Sequence, residues 1–488
     1  MIFIEHDGNK VTSSAYQGQP LVSSLYVLSI ENPDEFLLVY KDHKDRDRFL
    51  SQAQGIISKT SIISSYNPLN TDFGYVEDKP FIPTNDEVIF PTWKKGTAMF
   101  LVHASLLNQV SCQLSSSNDY LYWLNSLGKL TRPLGVLNYQ LPITVKTETF
   151  GVSQLYKFVK QHYKRRWTIH LLLCHLYYEK KFPLYAFAKA QFYKKRSLSL
   201  DMLSLQQSLE IIDGIPLNYD VIIPTIGRKE YLKKVLEDLN NQKITPSQVI
   251  IIEQNPDPNQ ISELAYLNNE NWNFKIIHKF THITGACGAR NAGIALSNSP
   301  WLLFFDDDVR IKTDFMNKVE NFIQKTNARC VTFACIQKDE KETMQAYKQW
   351  ESFGSGCSIV HREIFSKCSF DMALEHGYGE DLDYGMQVRN LGNDVIYAPQ
   401  IQMLHLKAPV GGFRNPHVFP WKEETVQPKP SPQIMYFRKK NLTLEQLQGY
   451  KIMQFFKSFG FFNTKNPYKH FKRFKKAWNQ SEKWAARL

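Results

Sequence analysis

Between Tyr219 and Phe305, short apolar runs alternate with amphipathic stretches. Tyr219-Asp-Val-Ile-Ile223 reads as a buried strand ended by Pro224. From Lys229 to Gln242, Leu232, Val235, Leu236 and Leu239 recur at helical spacing and predict one apolar helix face. Gln248 to Ile252 is the next strand. A short helix near Ile261 to Leu267, a strand over Phe274 to His278, a helix from Ala286 to Ser297 and the run Trp301-Leu-Leu-Phe-Phe305 complete the series. Strands alternating with helices in this way predict an α/β domain over about 216–430, a mostly parallel sheet with flanking helices. Ligands of such sheets bind beyond the carboxyl ends of the strands. Pro224, Thr225, Glu253 and the triplet Asp306-Asp307-Asp308 all fall there.

The flanking regions read differently. Residues 1–215 predict an α+β domain, with strand-like runs such as Phe36 to Tyr40 and turns such as Tyr66 to Asn70. A helical, basic and aromatic stretch follows from about Ser153 to Leu209. Its clusters Lys164-Arg165-Arg166 and Lys194-Lys195-Arg196 read as solvated faces. Residues 431–488 predict a helical basic tail. Asn466-Pro467 has the form of a helix start, with Asn as cap and Pro in the first position. Tyr468, Phe471, Phe474 and Trp478 then share one face, opposite Lys469, Lys472, Arg473 and Lys476. Such a helix either meets an anionic membrane surface or docks on its own protein through the aromatic face.

Composition narrows the classes. At 488 residues the chain is long enough for two or three domains, and 43% hydrophobic with 13% aromatic content excludes general disorder. A net charge of +12 points to an anionic partner. Seven scattered cysteines without a CxxC pair fit reduced thiols, and the N-terminus has no signal-peptide pattern. The expected location is therefore the cytoplasm, with a peripheral place on the inner face of the cell membrane if the tail binds lipid.

The chemistry concentrates after the apolar run 301–305. Three adjacent carboxylates repel one another unless a cation neutralises them, and Mg²⁺ or Mn²⁺ takes such ligands while bridging substrate phosphates. The competing reading is a solvated turn capping the next helix through Asp308 or Thr313. Further on, Glu380 and Asp381 follow Gly377 and Gly379, so a carboxylate can come close to a substrate hydroxyl and act as base. Alternatively these acids, with Asp383, cap the helix that follows.

Taken in order, these segments resemble the family 2 glycosyltransferases, over about residues 217–412. Val221 to Arg228 is similar to the opening strand and turn of that family. Gly288-Ala-Arg-Asn-Ala-Gly293 is similar to its helix beside the donor diphosphate, and Asp306 to Asp308 to its DxD metal motif. Gly377 to Asp383 is similar to the acceptor-side segment with the base. His405, followed by Gly411-Gly412, is similar to a late metal-ligating histidine. The resemblance implies a GT-A fold and an inverting, metal-dependent transfer from a nucleotide-sugar, expected to be a UDP-sugar. It implies Asp306, Asp308 and His405 as ligands of Mn²⁺ or Mg²⁺, Asp381 as base and Glu380 as acceptor contact. Donor binding falls to Pro224, Thr225, Arg228, Glu253, Arg290, Asp306 and Asp307.

The expected acceptor is a glycan or lipid-linked sugar of a bacterial surface polysaccharide. Where the family often carries Asp-Gly-Ser after the second strand, this chain has Glu253-Gln-Asn255. It also lacks the QxxRW motif of processive synthases, so transfer of one or a few sugars is expected. A nucleotidyltransferase would need a Gly-rich basic loop after the first strand, and Thr225-Ile-Gly-Arg-Lys229 is only a faint version. A nucleic-acid-binding protein would leave the aspartates unexplained, and no nucleic-acid partner is expected.

Overall fold

The computed structural model describes residues 1–13, 15–66, 72–114, 119–145, 149–210, 216–409, 417–459 and 466–488. Most of the turn expected at 66–70, and the glycines Gly411 and Gly412, lie outside these residues. The chain divides into two compact units, Met1–Ser208 with Val426–Ala486 and Leu209–Thr425 with Arg487–Leu488.

The first unit is α+β, as expected. Its strands are β1 (Ile2–Glu5), β2 (Phe36–Tyr40), β3 (Ser61–Tyr66), β4 (Phe90–Pro91), β5 (Met99–His103) and β6 (Leu137–Thr144). They form a mixed sheet in the order β1-β2-β5-β3-β6-β4. Helices Val152–His162, Arg166–Cys174, Leu184–Ala190 and Met202–Gln207 occupy the stretch read as helical. Tyr156, Phe158, Val159 and Leu171 pack there with Phe73 and Trp93.

The C-terminal segment is not a separate tail, which corrects the expected division at 431. Within its unit, Gln446 of helix Leu444–Lys457 donates to the carbonyls of Glu77 (2.9 Å) and Lys79 (3.0 Å). Asn466 does cap helix Pro467–Ala485, its side chain accepting from the amides of Tyr468 and Lys469. The aromatic face, however, is split. Phe474 and Trp478 are buried with Met435 and Tyr450, while Tyr468 and Phe471 stay exposed. Burying a large side chain of this kind is worth roughly 1.5–3 kcal/mol, so the two inner aromatics serve the core and are not available to lipid.

The second unit holds β7 (Tyr219–Thr225), β8 (Gln248–Gln254), β9 (Lys275–Thr281), β10 (Trp301–Phe305), β11 (Val309–Arg310), β12 (Cys330–Ile336), β13 (Lys348–Gln349), β14 (Cys357–His361) and β15 (Ile396–His405). The sheet order is β11-β15-β12-β14-β10-β7-β8-β9, with β13 on β15. β10, β7, β8 and β9 are parallel neighbours, as the strand–helix alternation predicts. Beyond β10 the sheet is mixed: β14 runs antiparallel to β10 and β12, and β15 parallel to β12. The parallel expectation thus holds for one half, because regular alternation ends after the aspartates.

Helix Lys229–Asn240 buries Leu232, Val235, Leu236 and Leu239, the predicted face. Two local expectations are corrected. β7 does not stop at Pro224 but continues to Thr225. The ladder to β10 ends at Ile222, so Pro224 withholds an N–H only where that side is unpaired. The region read as a short helix near 261–267 holds only a 3₁₀ turn at Ala265–Asn268.

Candidate functional site

The three aspartates leave the end of β10 in different environments. Asp306 keeps a side chain 37% exposed, whereas Asp307 and Asp308 are buried. Asp307 is held by its neighbours: Thr225 Oγ1 donates to it at 2.7 Å and Arg228 Nη1 at 2.6 Å. Burial pushes its carboxyl up to about 6 against the pull of Arg228. Thr225 and Arg228, like Asp307 expected at the donor, therefore brace the middle aspartate of the triplet.

A two-residue strand brings His405 to the site. β11 pairs antiparallel with β15, setting Val309 opposite His405, and the Leu406 amide donates to the Asp308 carbonyl at 2.9 Å. His405 Nε2 then lies 3.4 Å from Asp308 Oδ1. The Ala408 amide donates to Asp308 Oδ2 at 2.8 Å, and Arg228 Nη1 lies 3.3 Å from the same oxygen. Burial raises the Asp308 pKa, but the His405 hydrogen bond, the Ala408 amide and Arg228 outweigh it and leave the pKa lowered. The hydrogen bond to Asp308 raises that of His405. Asp306, Asp308 and His405 each offer one ligand atom, all within 4.8 Å of one another. Two carboxylates and an imidazole suit a divalent cation, Mn²⁺ better than Mg²⁺.

A second chain of contacts joins this group to the expected base. Arg290, on helix Ala286–Leu296, donates through Nε to the Ser355 carbonyl (3.0 Å), and its Nη2 lies 3.3 Å from Asp306 Oδ1. The Ser355 amide in turn donates to Asp381 Oδ1 at 3.3 Å. Asp381 sits in the first turn of helix Glu380–Asn390. Burial, and then the charge of Glu380, push its carboxyl up to about 7. Burial also raises Glu380. Asp383 is fully buried and accepts from Gln387 at 2.8 Å, a role inside the helix.

Glu253 ends β8 as expected, but its oxygens are engaged within the protein. Ser262 Oγ donates at 2.5 Å, the Glu263 amide at 2.9 Å, and His278 Nε2 lies at 2.8 Å. Burial alone would raise it; these partners leave it lowered.

Two contributors have another reading or none in the sequence: Gly354 to Ser358 reads there as a lining of the acceptor pocket or a packing turn, and Glu375 has no reading. Gly356 donates no chemistry, but a Cβ there would collide with the Asp306 carboxylate. Its carbonyl also accepts from the Asp306 amide at 3.3 Å. Glu375 accepts from the amides of Cys287 (3.1 Å) and Gly288 (2.8 Å), so the helix start assigned to a diphosphate is capped by the chain's own carboxylate. Gly285 permits this approach with φ +146. The segment 354–358 is legible as a turn, but not that its Gly356 meets Asp306; nothing local marks Glu375.

Gly356→Ala should displace Asp306 and weaken Mn²⁺ binding by about 10–100-fold, the scale of defects in the shell supporting a metal. Titration with Mn²⁺ checks this, with thermal unfolding as control. Unchanged affinity in a folded variant would remove Asp306 from the ligand set.

Residues 220–374, about a third of the chain, match the family described as Glycosyl transferase family 2. A protein of Haemophilus influenzae described as an uncharacterized glycosyltransferase is 30% identical over 105 residues, 22% of this chain. The chain spans about a third of that relative's length. Among solved structures, TarS of S. aureus in complex with UDP-GlcNAc is 14% identical, with a TM-score of 0.40, covering 55% of this chain and 82% of that one. The mannosyltransferase PcManGT of Pyrobaculum calidifontis, with GDP-Man and Mn²⁺, is 12% identical, with a TM-score of 0.33, covering 69% and 85%.

Proposed function

We propose that this family 2 glycosyltransferase domain, a GT-A fold, moves a sugar from a UDP-sugar to a hydroxyl of a glycan or lipid-linked acceptor, with inversion at the anomeric carbon. The observation that carries the reading is the continuous path Asp306–Arg290–Ser355–Asp381, which couples a three-ligand cation group to a half-buried carboxylate of raised pKa. A cation held by Asp306, Asp308 and His405 would stabilise charge on the departing diphosphate.

The chain's own residues do the rest. Thr225 and Arg228 fix Asp307, and with it the direction in which Asp306 and Asp308 leave the strand. Arg290 offsets the carboxylates on both sides of it. Asp381 accepts the proton of the attacking hydroxyl, and Glu380 beside it contacts the acceptor. As the proton leaves, the acceptor oxygen would bond to the anomeric carbon from the face opposite the diphosphate. The bond from that carbon to the diphosphate breaks in the same step, and this single displacement inverts the configuration. We further propose a bacterial surface polysaccharide as the product and the cytoplasm as the site of the reaction, on the strength of the family and of the bacterial relative.

Purified chain with Mn²⁺ and a panel of nucleotide sugars tests the reading by nucleotide release. Release of UDP from one UDP-sugar, abolished by chelation, is expected. Release from a GDP-sugar instead would overturn the donor assignment, and silence across the panel with added glycan acceptors would overturn the activity.

A further inference from the structure

The first unit exposes an unusual set of side chains between its two basic clusters. Tyr177 is 54% exposed, Phe182 75%, Leu184 58%, Tyr185 74% and Phe192 88%. Large apolar residues scattered singly over a surface need no explanation, but five within sixteen positions do. The local backbone explains how they come to face outward. Helix Leu184–Ala190 turns Ala186 and Ala190 inward, with Phe187 packed against the core. Tyr185, Ala188 and Phe192 follow at helical spacing on the opposite side, and all three are exposed.

The charge around them has one sign. Lys180, Lys181, Lys189, Lys194 and Lys195 are exposed. The one acid among residues 164–196 is Glu179, which Lys181 pairs at 2.5 Å. Bases and rings are presented together: Lys180 Nζ lies 5.3 Å from the Tyr177 ring centroid and Lys189 Nζ 5.6 Å from that of Tyr185. A second copy of the chain is a poor occupant, because a self-complementary contact would bring the same lysines together. An anionic bilayer matches both features. Aromatic rings settle at the level of the headgroups, and lysines extend to the phosphates.

We propose that residues 177–196 are a membrane-docking surface that seats Phe182, Leu184, Tyr185 and Phe192 in the interface of an anionic lipid bilayer. The surface lies in the first unit and does not depend on the glycosyl-transfer reading. It also differs from the C-terminal helix, whose inner aromatics belong to the core.

Co-sedimentation of the full chain with phosphatidylcholine vesicles, with and without phosphatidylglycerol, tests it. Pelleting with the anionic vesicles at low salt, and little with neutral ones, is expected. Phe182→Ser with Phe192→Ser should lower partitioning at least about tenfold, since both rings supply buried apolar area. Both positions are exposed, so the melting temperature should hold. Lys469→Glu with Lys476→Glu, on the C-terminal helix, should change partitioning less than the double Phe variant. The proposal is overturned if the intact chain ignores anionic vesicles, or if the double Phe variant pellets like the parent. It is also overturned if sedimentation shows a dimer that this variant dissociates while vesicles are ignored.

Discussion

Asp308→Asn is expected to lower turnover by on the order of 10³-fold and to remove the Mn²⁺ dependence of UDP binding. Asn keeps the shape of the side chain and one oxygen for the Ala408 amide, but not the charge. The carboxylate it replaces is buried, lies 3.4 Å from His405 Nε2 and is one of three ligand atoms within 4.8 Å. A Lewis acid at a departing diphosphate contributes several kcal/mol, and each 1.4 kcal/mol is about tenfold in rate. The fold should survive, because Arg228 keeps its 2.6 Å contact with Asp307. Calorimetric titration of UDP with and without Mn²⁺ reads the effect. A second readout is independent of turnover: His405 owes its raised pKa first to Asp308, so its titration by NMR should move down in the variant. Metal-dependent affinity equal to the parent's would remove Asp308 from the site.

What the sequence made legible is what local patterning encodes. The face Leu232, Val235, Leu236, Leu239 and the buried run 301–305 are periodicities within one element, and both appear as read. Carboxylates at the end of such a run are likewise a local signal, and Asn466 before Pro467 is a local cap. What the sequence hid depends on contacts across long separations. Gly356 meets Asp306 from fifty residues away, and Glu375 meets the amides at 287 and 288 from farther still. Thr225, Arg228 and Glu253 were legible as polar groups at strand ends. Whether such a group faces a ligand or a neighbour is decided by three-dimensional pairing, and here Thr225 Oγ1 and Arg228 Nη1 meet Asp307, while Ser262 and His278 meet Glu253. The aromatic face of the tail is split for a related reason. Its amphipathic pattern is real, but a pattern states only that a face wants cover, and Met435 and Tyr450 supply it.

Asp381→Asn separates the proton transfer from binding. The carboxyl is half-buried, and its desolvation together with the charge of Glu380 pushes it up to about 7. In the free enzyme it is therefore protonated below that value and able to accept a proton above it. kcat/KM should rise as pH increases through about 7 and fall away on the acid side. The Asn variant keeps the volume and an oxygen for the Ser355 amide, which donates to Asp381 at 3.3 Å. It cannot accept a proton. A fall in kcat of about 10²-fold or more is expected, the scale of general-base contributions, with loss of the acid limb in what activity remains. Donor affinity should change little, since the hydrogen-bonded path from the carboxylate to the cation group runs through Ser355 and Arg290. Stability has the opposite sign to activity. A folded-state pKa above the unfolded one means that ionisation opposes folding once pH exceeds the unfolded value. Replacing the desolvated charge should therefore hold or raise the melting temperature at neutral pH. Rate–pH profiles and thermal unfolding of parent and variant decide the matter together: near-parental turnover with an intact acid limb would shift the base to Glu380, whose carboxyl is raised by the same burial.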